Sequence, residues 1–241
     1  MNYSVNTTQA IVDPLKKHEV IPDVVPDFEP QGFLTIEYPH SNSVTLGNDI
    51  SVPMASSLPE ITYTSTSGVS DPDNDRFIVV LTDPDAPSRT DHKWSEYCHY
   101  VRTDIQLVPN NKLASAAGAA GGVSREFVCA DLNANGNTLV EYMGPAPPKG
   151  TGKHRYVFLL YRQNAPSSQL TKIKDRANWG YGEPASFHYY NTSKVLGGKR
   201  TTKKKYNLLF GFENNRFLRR GHRNFGFFNN KLSFIKSFIK L

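Results

Sequence analysis

The chain has 241 residues, which suits one domain of ordinary size, and its 38% hydrophobic and 12% aromatic content can supply a sizeable core. The net charge of +6 divides unevenly, because residues 197–241 carry +11 and residues 1–196 carry −5, so the whole-chain charge does not describe the partners of the globular part. No apolar stretch approaches the ~18 residues of a membrane span, and no signal peptide is recognisable, so we expect a cytoplasmic protein.

The N-terminal region predicts one short helix. Residues 8–20 place Ile11 and Leu15 on one face, and a threonine at position 7 or 8 is a plausible cap. Pro14 is expected to limit this helix, because a proline beyond the first turn disrupts it. Residues 20–30 are punctuated by prolines and read as extended chain, and residues 167–176 have the pattern of a second short helix.

Seven segments have the alternating or continuous apolar pattern of strands. They are Gly32–Tyr38, Ile61–Ser65, Phe77–Leu81, Tyr97–Ile105, Phe127–Cys129, Leu139–Met143 and Tyr156–Tyr161. The continuous run Phe77–Leu81 predicts a strand covered on both faces. Short strands at even spacing, with proline and glycine turns and few helices, predict a β-sandwich rather than alternating β-α units.

Two cysteines, Cys98 and Cys129, lie in strand-like surroundings without metal-ligand spacing. We therefore expect buried free thiols rather than a disulfide or a metal site, and we expect no metal and no cofactor.

A proline-rich turn, Asp83–Pro87, follows the apolar strand. Pro84 and Pro87 restrict the backbone at four positions and leave Asp83 little freedom. The plain alternative is that Asp83 and Asp85 are turn residues that bond their own backbone. In favour of a site, a hairpin can return His99 from the next strand to the side of Asp83.

A second rigid turn, Gly144–Lys153, leads to His154 and the strand that follows it. An isolated histidine is more often a strand residue than a functional group, but two histidines beside two stiff turns suggest a site. Two imidazoles, an arginine rim of Arg89 and Arg155, a tyrosine hydroxyl and backbone N–H groups would bind a phosphate or carboxylate. The aspartate would orient one imidazole and select its tautomer.

These motifs are similar to those of the phosphatidylethanolamine-binding protein family. The resemblance is carried by Asp83–Pro87, Glu96–His99, Gly144–Pro148 and Gly152–Tyr156. It implies a mainly β fold, a sandwich of two antiparallel sheets with a few short peripheral helices, around a small anion pocket. It also implies the ligand-binding residues Asp83, Asp85, Trp94, His99, Ala146, Pro148, His154 and Tyr156. Many members have glycine at the position of Ala146, so a requirement for positive φ there would strain the turn.

Further motifs resemble the fungal carboxypeptidase-inhibitor branch of that family. They are Lys16–His18, Asp91–His99, Tyr142–Lys149, Lys172–Arg176 and Asn178–Gly182. The resemblance implies an inhibitor of a vacuolar serine carboxypeptidase of the carboxypeptidase Y type, with Met1, Asn2 and Tyr3 occupying the protease site. It also implies phospholipid-headgroup binding, a Ras GTPase-activating protein as a partner, and a vacuolar as well as a cytoplasmic location. The alternative is a phospholipid- or phosphoprotein-binding regulator of Ras or kinase signalling without protease inhibition.

An enzyme is a third hypothesis, because Asp83, His99 and His154 are capable of acid–base chemistry. The sequence offers no Gly-x-Ser-x-Gly turn, and neither cysteine has an activating context. A histidine–aspartate pair without a nucleophile or metal is a poor hydrolase, so we expect no enzymatic activity.

The chain divides by pattern into an N-terminal inhibitory segment and helix (1–30), the family domain (31–189) and a basic, atypical C-terminal tail (190–241). Basic residues interleaved with phenylalanine are compatible with single-stranded nucleic acid, and residues 232–241 with an amphipathic helix for peripheral membrane association. We favour a third hypothesis, a frameshifted, intron-derived or disordered tail, because composition changes where the resemblance stops. A nucleic-acid partner is therefore not expected.

Overall fold

The computed structural model describes residues 7–25, 27–28, 30–65, 74–109, 129–163 and 175–179, together with the backbone of residues 235–240. The helices and strands in these ranges are α1 Thr7–Lys17, α2 Val20–Asp23, β1 Gly32–Tyr38, β2 Asn42–Val44, β3 Glu60–Ser65, β4 Arg76–Asp83, β5 Tyr97–Ile105, β6 Cys129–Asp131, β7 Asn137–Val140, β8 Arg155–Gln163 and β9 Ile235–Lys240. A 3-10 helix, Val52–Ala55, precedes β3.

The strands form two sheets. One has the order β2-β1-β3-β6 and the other the order β7-β5-β4-β8-β9. Every pairing within them is antiparallel. The predicted mainly β sandwich of two antiparallel sheets is therefore confirmed.

Two buried apolar clusters cover the two faces of the five-stranded sheet. Between the sheets, Ile36, Ile61 and Tyr63 pack against Val79 and Phe158. On the outer face, the helical residues Leu15 and Val20 pack against Val80, Val101 and Val157. Because residues 77–81 of β4 contribute alternately to the two clusters, each of them must be apolar, and this explains the continuous run seen in the sequence.

Helix α1 differs from its prediction at its end. Pro14 lies inside the helix, which continues to Lys17. The carbonyl that Pro14 leaves without an intrahelical donor belongs to Ala10, an exposed residue, so water can satisfy it. The helix ends before Glu19, which has the left-handed φ of 57°. Val20–Asp23 then forms the short α2 where we predicted extended chain, although Ile21 within it has extended angles, with φ of −104° and ψ of 117°.

The other sequence predictions are mostly confirmed within the described residues. Six of the seven predicted strands lie on β1, β3, β4, β5, β7 and β8, although β7 begins two residues earlier and ends at Val140. Residues 127–128 and 167–174 lie outside the described residues, and β2 was not predicted. Cys98 and Cys129 are buried and free, as expected. None of the described helices has the length and apolarity that a membrane crossing requires.

The C-terminal strand β9 contradicts one of the hypotheses considered for the tail. Residues 235–240 pair with β8 over six positions, so the amphipathic helix considered for residues 232–241 is wrong for this part. The physical reason is the outer edge of β8, whose N–H and C=O groups would otherwise lack a strand partner. The alternating segment Ile235–Lys240 supplies that partner.

Candidate anion-binding site

Three neighbouring strands bring the predicted site residues to one end of the five-stranded sheet. Strand β4 ends at Asp83, β5 begins at Tyr97, and β8 begins at Arg155. Both β5 and β8 run antiparallel to β4, so the end of β4 meets the start of each neighbour. Side chains from Asp83, His99 and His154 can therefore converge although 71 residues separate the first from the last.

A β-bulge in β5 directs His99 to this end of the sheet. Leu81 pairs with Tyr100 while the next residue, Thr82, pairs with Cys98, so His99 is the extra residue on its strand. The bulge reverses the alternation of the strand, because Tyr100 lies in the core between the sheets and Cys98 lies in the core under the helices. The ring of His99 is thereby brought edge-on to the ring of Tyr156, with centroids 5.0 Å apart.

His154 is held by acceptors on both ring nitrogens. Its Nδ1 lies 2.8 Å from Asp83 Oδ2, and its Nε2 lies 2.9 Å from Thr151 Oγ1. The other oxygen of Asp83 accepts the backbone N–H of Asp85 at 2.7 Å. Asp83 therefore has both of the roles considered from the sequence: it stabilises its own turn, and it orients the imidazole of His154.

Opposing effects act on the pKa of His154. Burial lowers the pKa of His154. The hydrogen bond and charge of Asp83, the charge of Asp85 and the Pro87 carbonyl all raise it, and together they outweigh burial, so the net shift of the pKa is upward. The imidazole consequently keeps its positive charge to a higher pH than an ordinary histidine.

His99 is shifted the other way. Burial lowers its pKa and outweighs the Met143 carbonyl and Asp83, while the charges of Arg176 and His154 lower it further. Its Nδ1 lies 2.8 Å from the Met143 carbonyl, which only accepts, so Nδ1 carries the proton in the neutral ring. The site therefore combines one imidazole that favours the charged form with one that favours the neutral form.

Tyr156 completes the group of four side chains, Asp83, His99, His154 and Tyr156, that we call the site cluster. Its ring stacks on His154 with centroids 6.3 Å apart. Burial raises the pKa of the hydroxyl strongly, as do the charge and hydrogen bond of Asp83, so the hydroxyl stays protonated and is a donor. The members of the cluster are all buried, so charges placed among them are weakly screened by water.

Asp85 and Arg155 lie beside the site cluster but bond to each other. Asp85 Oδ1 accepts from Arg155 Nη2 at 2.7 Å, and Asp85 Oδ2 accepts from Nε and the backbone N–H of Arg155. Arg155 also donates to the carbonyls of His18 and Glu19 and to Asp23. The prediction that Arg155 lies on the rim of the site is therefore wrong, because Arg155 is buried and anchors α2. Asp85 has both of its carboxylate oxygens bonded to this arginine.

The remaining predicted wall residues, Trp94, Ala146 and Pro148, are exposed. Trp94 is 43% exposed, and Lys93 Nζ lies 5.0 Å from its ring centroid. Ala146 is exposed and has no positive φ, so the strain considered for alanine in this turn does not arise. Pro148 contributes its carbonyl, which accepts from Thr151. A ligand-binding role for these residues stays a prediction.

Two residues of the site were not identified in the sequence. Thr151 contacts His154, and Arg176 donates to the carbonyls of Cys98, His99 and Glu141, which ties β5 to the segment after β7. A threonine three residues before a histidine in a glycine turn was a detectable signal for the first. No local signal marks Arg176, because its partners lie 35 or more residues away.

The inhibitory residues predicted from the resemblance, Met1, Asn2 and Tyr3, lie outside the described residues. The residues that the structure does describe contain no group of three or more histidine, cysteine, aspartate or glutamate side chains able to hold a metal ion.

Comparisons with known proteins identify relatives of this chain. The model of the family described as phosphatidylethanolamine-binding protein matches residues 26–206. Carboxypeptidase Y inhibitor of Saccharomyces cerevisiae is 46% identical over 201 residues, covering 77% of this chain and 89% of that protein. An uncharacterized protein of the same yeast is 38% identical over 186 residues, covering 76% and 85%.

Solved structures show the same similarity. The crystal structure of carboxypeptidase Y inhibitor complexed with its cognate proteinase matches with a TM-score of 0.67 and 38% identity, covering 100% of this chain and 98% of that one. A phosphatidylethanolamine-binding protein from Plasmodium vivax shares the fold, with a TM-score of 0.56, 19% identity and 95% of each chain covered. The chain belongs to the phosphatidylethanolamine-binding protein family.

Proposed function

We propose that this protein inhibits a serine carboxypeptidase of the carboxypeptidase Y type. The observation that carries the proposal is the 46% identity with yeast carboxypeptidase Y inhibitor over 89% of that protein's length. The similarity of the whole chain to the inhibitor solved with its cognate proteinase supports it. In this proposal the protein acts as an inhibitor and a binder rather than as an enzyme.

The N-terminal residues Met1, Asn2 and Tyr3 are the proposed inhibitory segment. A carboxypeptidase site admits a chain end and excludes most folded surfaces, so an accessible terminus is a suitable occupant. The segment precedes α1, which is fixed to the domain by the buried residues Ile11, Val12 and Leu15. Acetylation of the Met1 amine would remove a charge that is costly to desolvate in an apolar subsite.

Deletion of Met1–Ser4 tests this assignment. We expect the inhibition constant against a serine carboxypeptidase to rise at least about tenfold, or ~1.4 kcal/mol, because the deletion removes the proposed contacts and no residue of the described core. The matched control is full-length protein carrying His40→Asn, an exposed position outside the proposed sites, which keeps the N-terminus and should inhibit as well as the wild type. Equal inhibition constants for the deleted and intact chains would reject the role of this segment.

A second proposed function is the binding of a small anion, such as a phosphorylated headgroup, at the site cluster. The observation that favours it is the convergence of two buried histidines, one of which has its pKa raised by Asp83. The shared chemistry is a phosphate group, carried by a phospholipid or a phosphoprotein. The Ras GTPase-activating protein implied by the resemblance stays a prediction.

Calorimetry with inorganic phosphate tests the anion site. We expect His99→Asn and His154→Asn each to abolish detectable phosphate binding, because the first removes an imidazole that can accept the proton of hydrogen phosphate and the second removes a positive charge. His40→Asn is the matched control, since His40 is an exposed histidine with φ of 64°, a conformation that asparagine adopts easily. Wild-type affinity in both cluster variants would end this proposal and leave the inhibitory one intact.

A further inference from the structure

Thr151 occupies a turn whose geometry directs its hydroxyl to His154. The backbone N–H of Thr151 donates to the Pro148 carbonyl at 3.2 Å, which closes the turn. Gly150 and Gly152 flank it with φ of 85° and 83°, values that favour glycine. The threonine is thus held between two residues that permit the tight bend, and its side chain has a defined direction.

The hydrogen bonds of this hydroxyl determine where the protons lie. Thr151 Oγ1 is 2.7 Å from the Pro148 carbonyl oxygen and 2.9 Å from His154 Nε2. A carbonyl oxygen only accepts, so the single hydroxyl proton of Thr151 belongs in the bond to Pro148. The bond to His154 must then be donated by Nε2–H, with the threonine oxygen as the acceptor.

The partner of the other nitrogen of His154 is an acceptor as well. Asp83 Oδ2 lies 2.8 Å from Nδ1, so this nitrogen also carries a proton. An imidazole whose two nitrogens face a carboxylate and a hydroxyl oxygen that has already donated its proton carries a proton on both nitrogens, which is the imidazolium form.

The charges around the ring support the same protonation state. Among the described residues, the titratable groups that face it from other elements are Asp83, Asp85, His99 and Tyr156. Two of these are carboxylates, while His99 favours its neutral form. On its own turn, Lys149 is exposed and Lys153 pairs with Asp49. Asp85 is paired with Arg155, so Asp83 is the carboxylate that contributes most to the potential at the ring.

We infer that Thr151 is a positioning residue that holds His154 as an imidazolium, so that the site presents a lasting positive charge to its anion. The inference rests on the proposed anion site and deepens it. Both N–H groups of His154 are bound to the protein, so His154 attracts the anion by charge, and donors must come from other members of the cluster. The ligand class that fits is a phosphate or similar anion that needs a fixed positive charge.

The same contacts argue against a nucleophilic threonine. Hydroxyl, imidazole and carboxylate follow one another at 2.9 Å and 2.8 Å, as in a hydrolytic triad. A triad requires the hydroxyl to donate to the imidazole, which acts as a base. Here the hydroxyl proton points to Pro148, and the imidazole already carries two protons, so it has no lone pair with which to accept another.

Variants of Thr151 test the inference without any ligand. Thr151→Val and Thr151→Ala remove the acceptor, and Thr151→Ser keeps it. In long-range ¹H–¹⁵N spectra recorded against pH, we expect the His154 titration midpoint to fall by about one pH unit, a tenfold change in the protonation equilibrium, in the valine and alanine variants. The serine variant should titrate like the wild type. Unchanged midpoints in valine and alanine, or equal shifts in all three variants, would overturn the inference.

A phosphate titration separates this inference from the anion proposal. At pH 7.5 we expect Thr151→Val to bind inorganic phosphate several-fold more weakly than the wild type, and at pH 5.5 the difference should vanish because His154 is then charged in both. A wild type that binds no phosphate at either pH would reject the anion site, while the His154 midpoints would still decide the role of Thr151. A loss of affinity in Thr151→Val that is equal at both pH values would contradict a role through protonation.

Discussion

His154 and Arg155 are neighbours at the start of β8, and each is paired with an aspartate of one turn, yet the two pairs have different surroundings. Arg155 and Asp85 are joined by two side-chain bonds and are tied to α2 through Asp23. His154 and Asp83 share one bond, and the imidazole stacks on Tyr156 at the end of the core between the sheets.

The alternation of the strand explains the difference. Successive side chains of a β-strand point to opposite faces, so Tyr156 lies in the core between the sheets and Val157 in the core under the helices. His154 shares the first direction and Arg155 the second. The comparison teaches that two adjacent buried charges can divide into a pair that holds the fold together and a pair suited to bind a ligand.

The largest expected effect is on stability, from Arg155→Met. Removing the arginine leaves the buried Asp85 charged, with Arg89 Nε at 3.8 Å as its remaining ion-pair partner, so we expect the free energy of unfolding to fall by about 3–5 kcal/mol in denaturant titrations. Lys16→Met is the matched control, because the side chains of Lys16 and Asp27 are 48% and 65% exposed and such a pair contributes about 0–1 kcal/mol. Similar losses in the two variants would contradict the anchoring role of Arg155.

A smaller effect, dependent on pH, is expected from Asp83→Asn. The raised pKa of His154 in the fold gives stability that is fully present below the unfolded pKa of about 6.5 and is lost as pH rises through the folded pKa. The variant loses a bond to a charged group, about 1.5–3 kcal/mol at pH 6, and the difference from the wild type should narrow toward pH 9. Denaturant titrations at both pH values measure it.

The exposed Asp91 supplies the control for that experiment. Asp91→Asn should change stability little at either pH, because its ion pair with Lys93 spans 3.6 Å and both side chains are more than half exposed. A deficit of Asp83→Asn that stays constant between pH 6 and pH 9 would show that the His154 charge is not what Asp83 stabilises.

The smallest expected effect is a difference between sulfate and phosphate, two anions of the same shape, in how their affinity depends on pH. Neutral His99 donates Nδ1–H to Met143, so Nε2 offers a lone pair, and burial lowers the pKa at which it gains a proton. Sulfate carries no proton that it could give to this nitrogen, whereas hydrogen phosphate carries one. Above pH ~6.5 we expect sulfate affinity to fall by up to about tenfold per pH unit and phosphate affinity to fall less. Calorimetry between pH 6 and pH 8 measures both, and a parallel loss would show that His99 does not receive the proton.

Much of the fold could be predicted because its strands carry strong local patterns. Alternation identified β1 and β5, and the continuous run Phe77–Leu81 indicated a strand buried on both faces. The three-residue β2 was missed because so short a strand has too few residues for a pattern. The strand β9 was missed because its position depends on the open edge of β8 rather than on its own composition.

The site could be predicted only in part, because some of its features depend on strand pairing and on distant contacts rather than on local sequence. The two proline-rich turns indicated Asp83, His99 and His154, and the structure brings these three together. Sequence could not show that a bulge reorients His99, because a bulge is a property of strand pairing. It also could not place Arg155 in the interior, since its partners belong to α2 and to a loop 70 residues away.

The central physical claim is that the two imidazoles of the site cluster differ in charge at one pH. A long-range ¹H–¹⁵N spectrum of the wild-type protein at pH 7 tests it most directly, since it reports which ring nitrogens carry protons. We expect His154 to be protonated on both nitrogens and His99 on Nδ1 alone. Two rings in the same protonation state, or a charged His99 beside a neutral His154, would contradict the account.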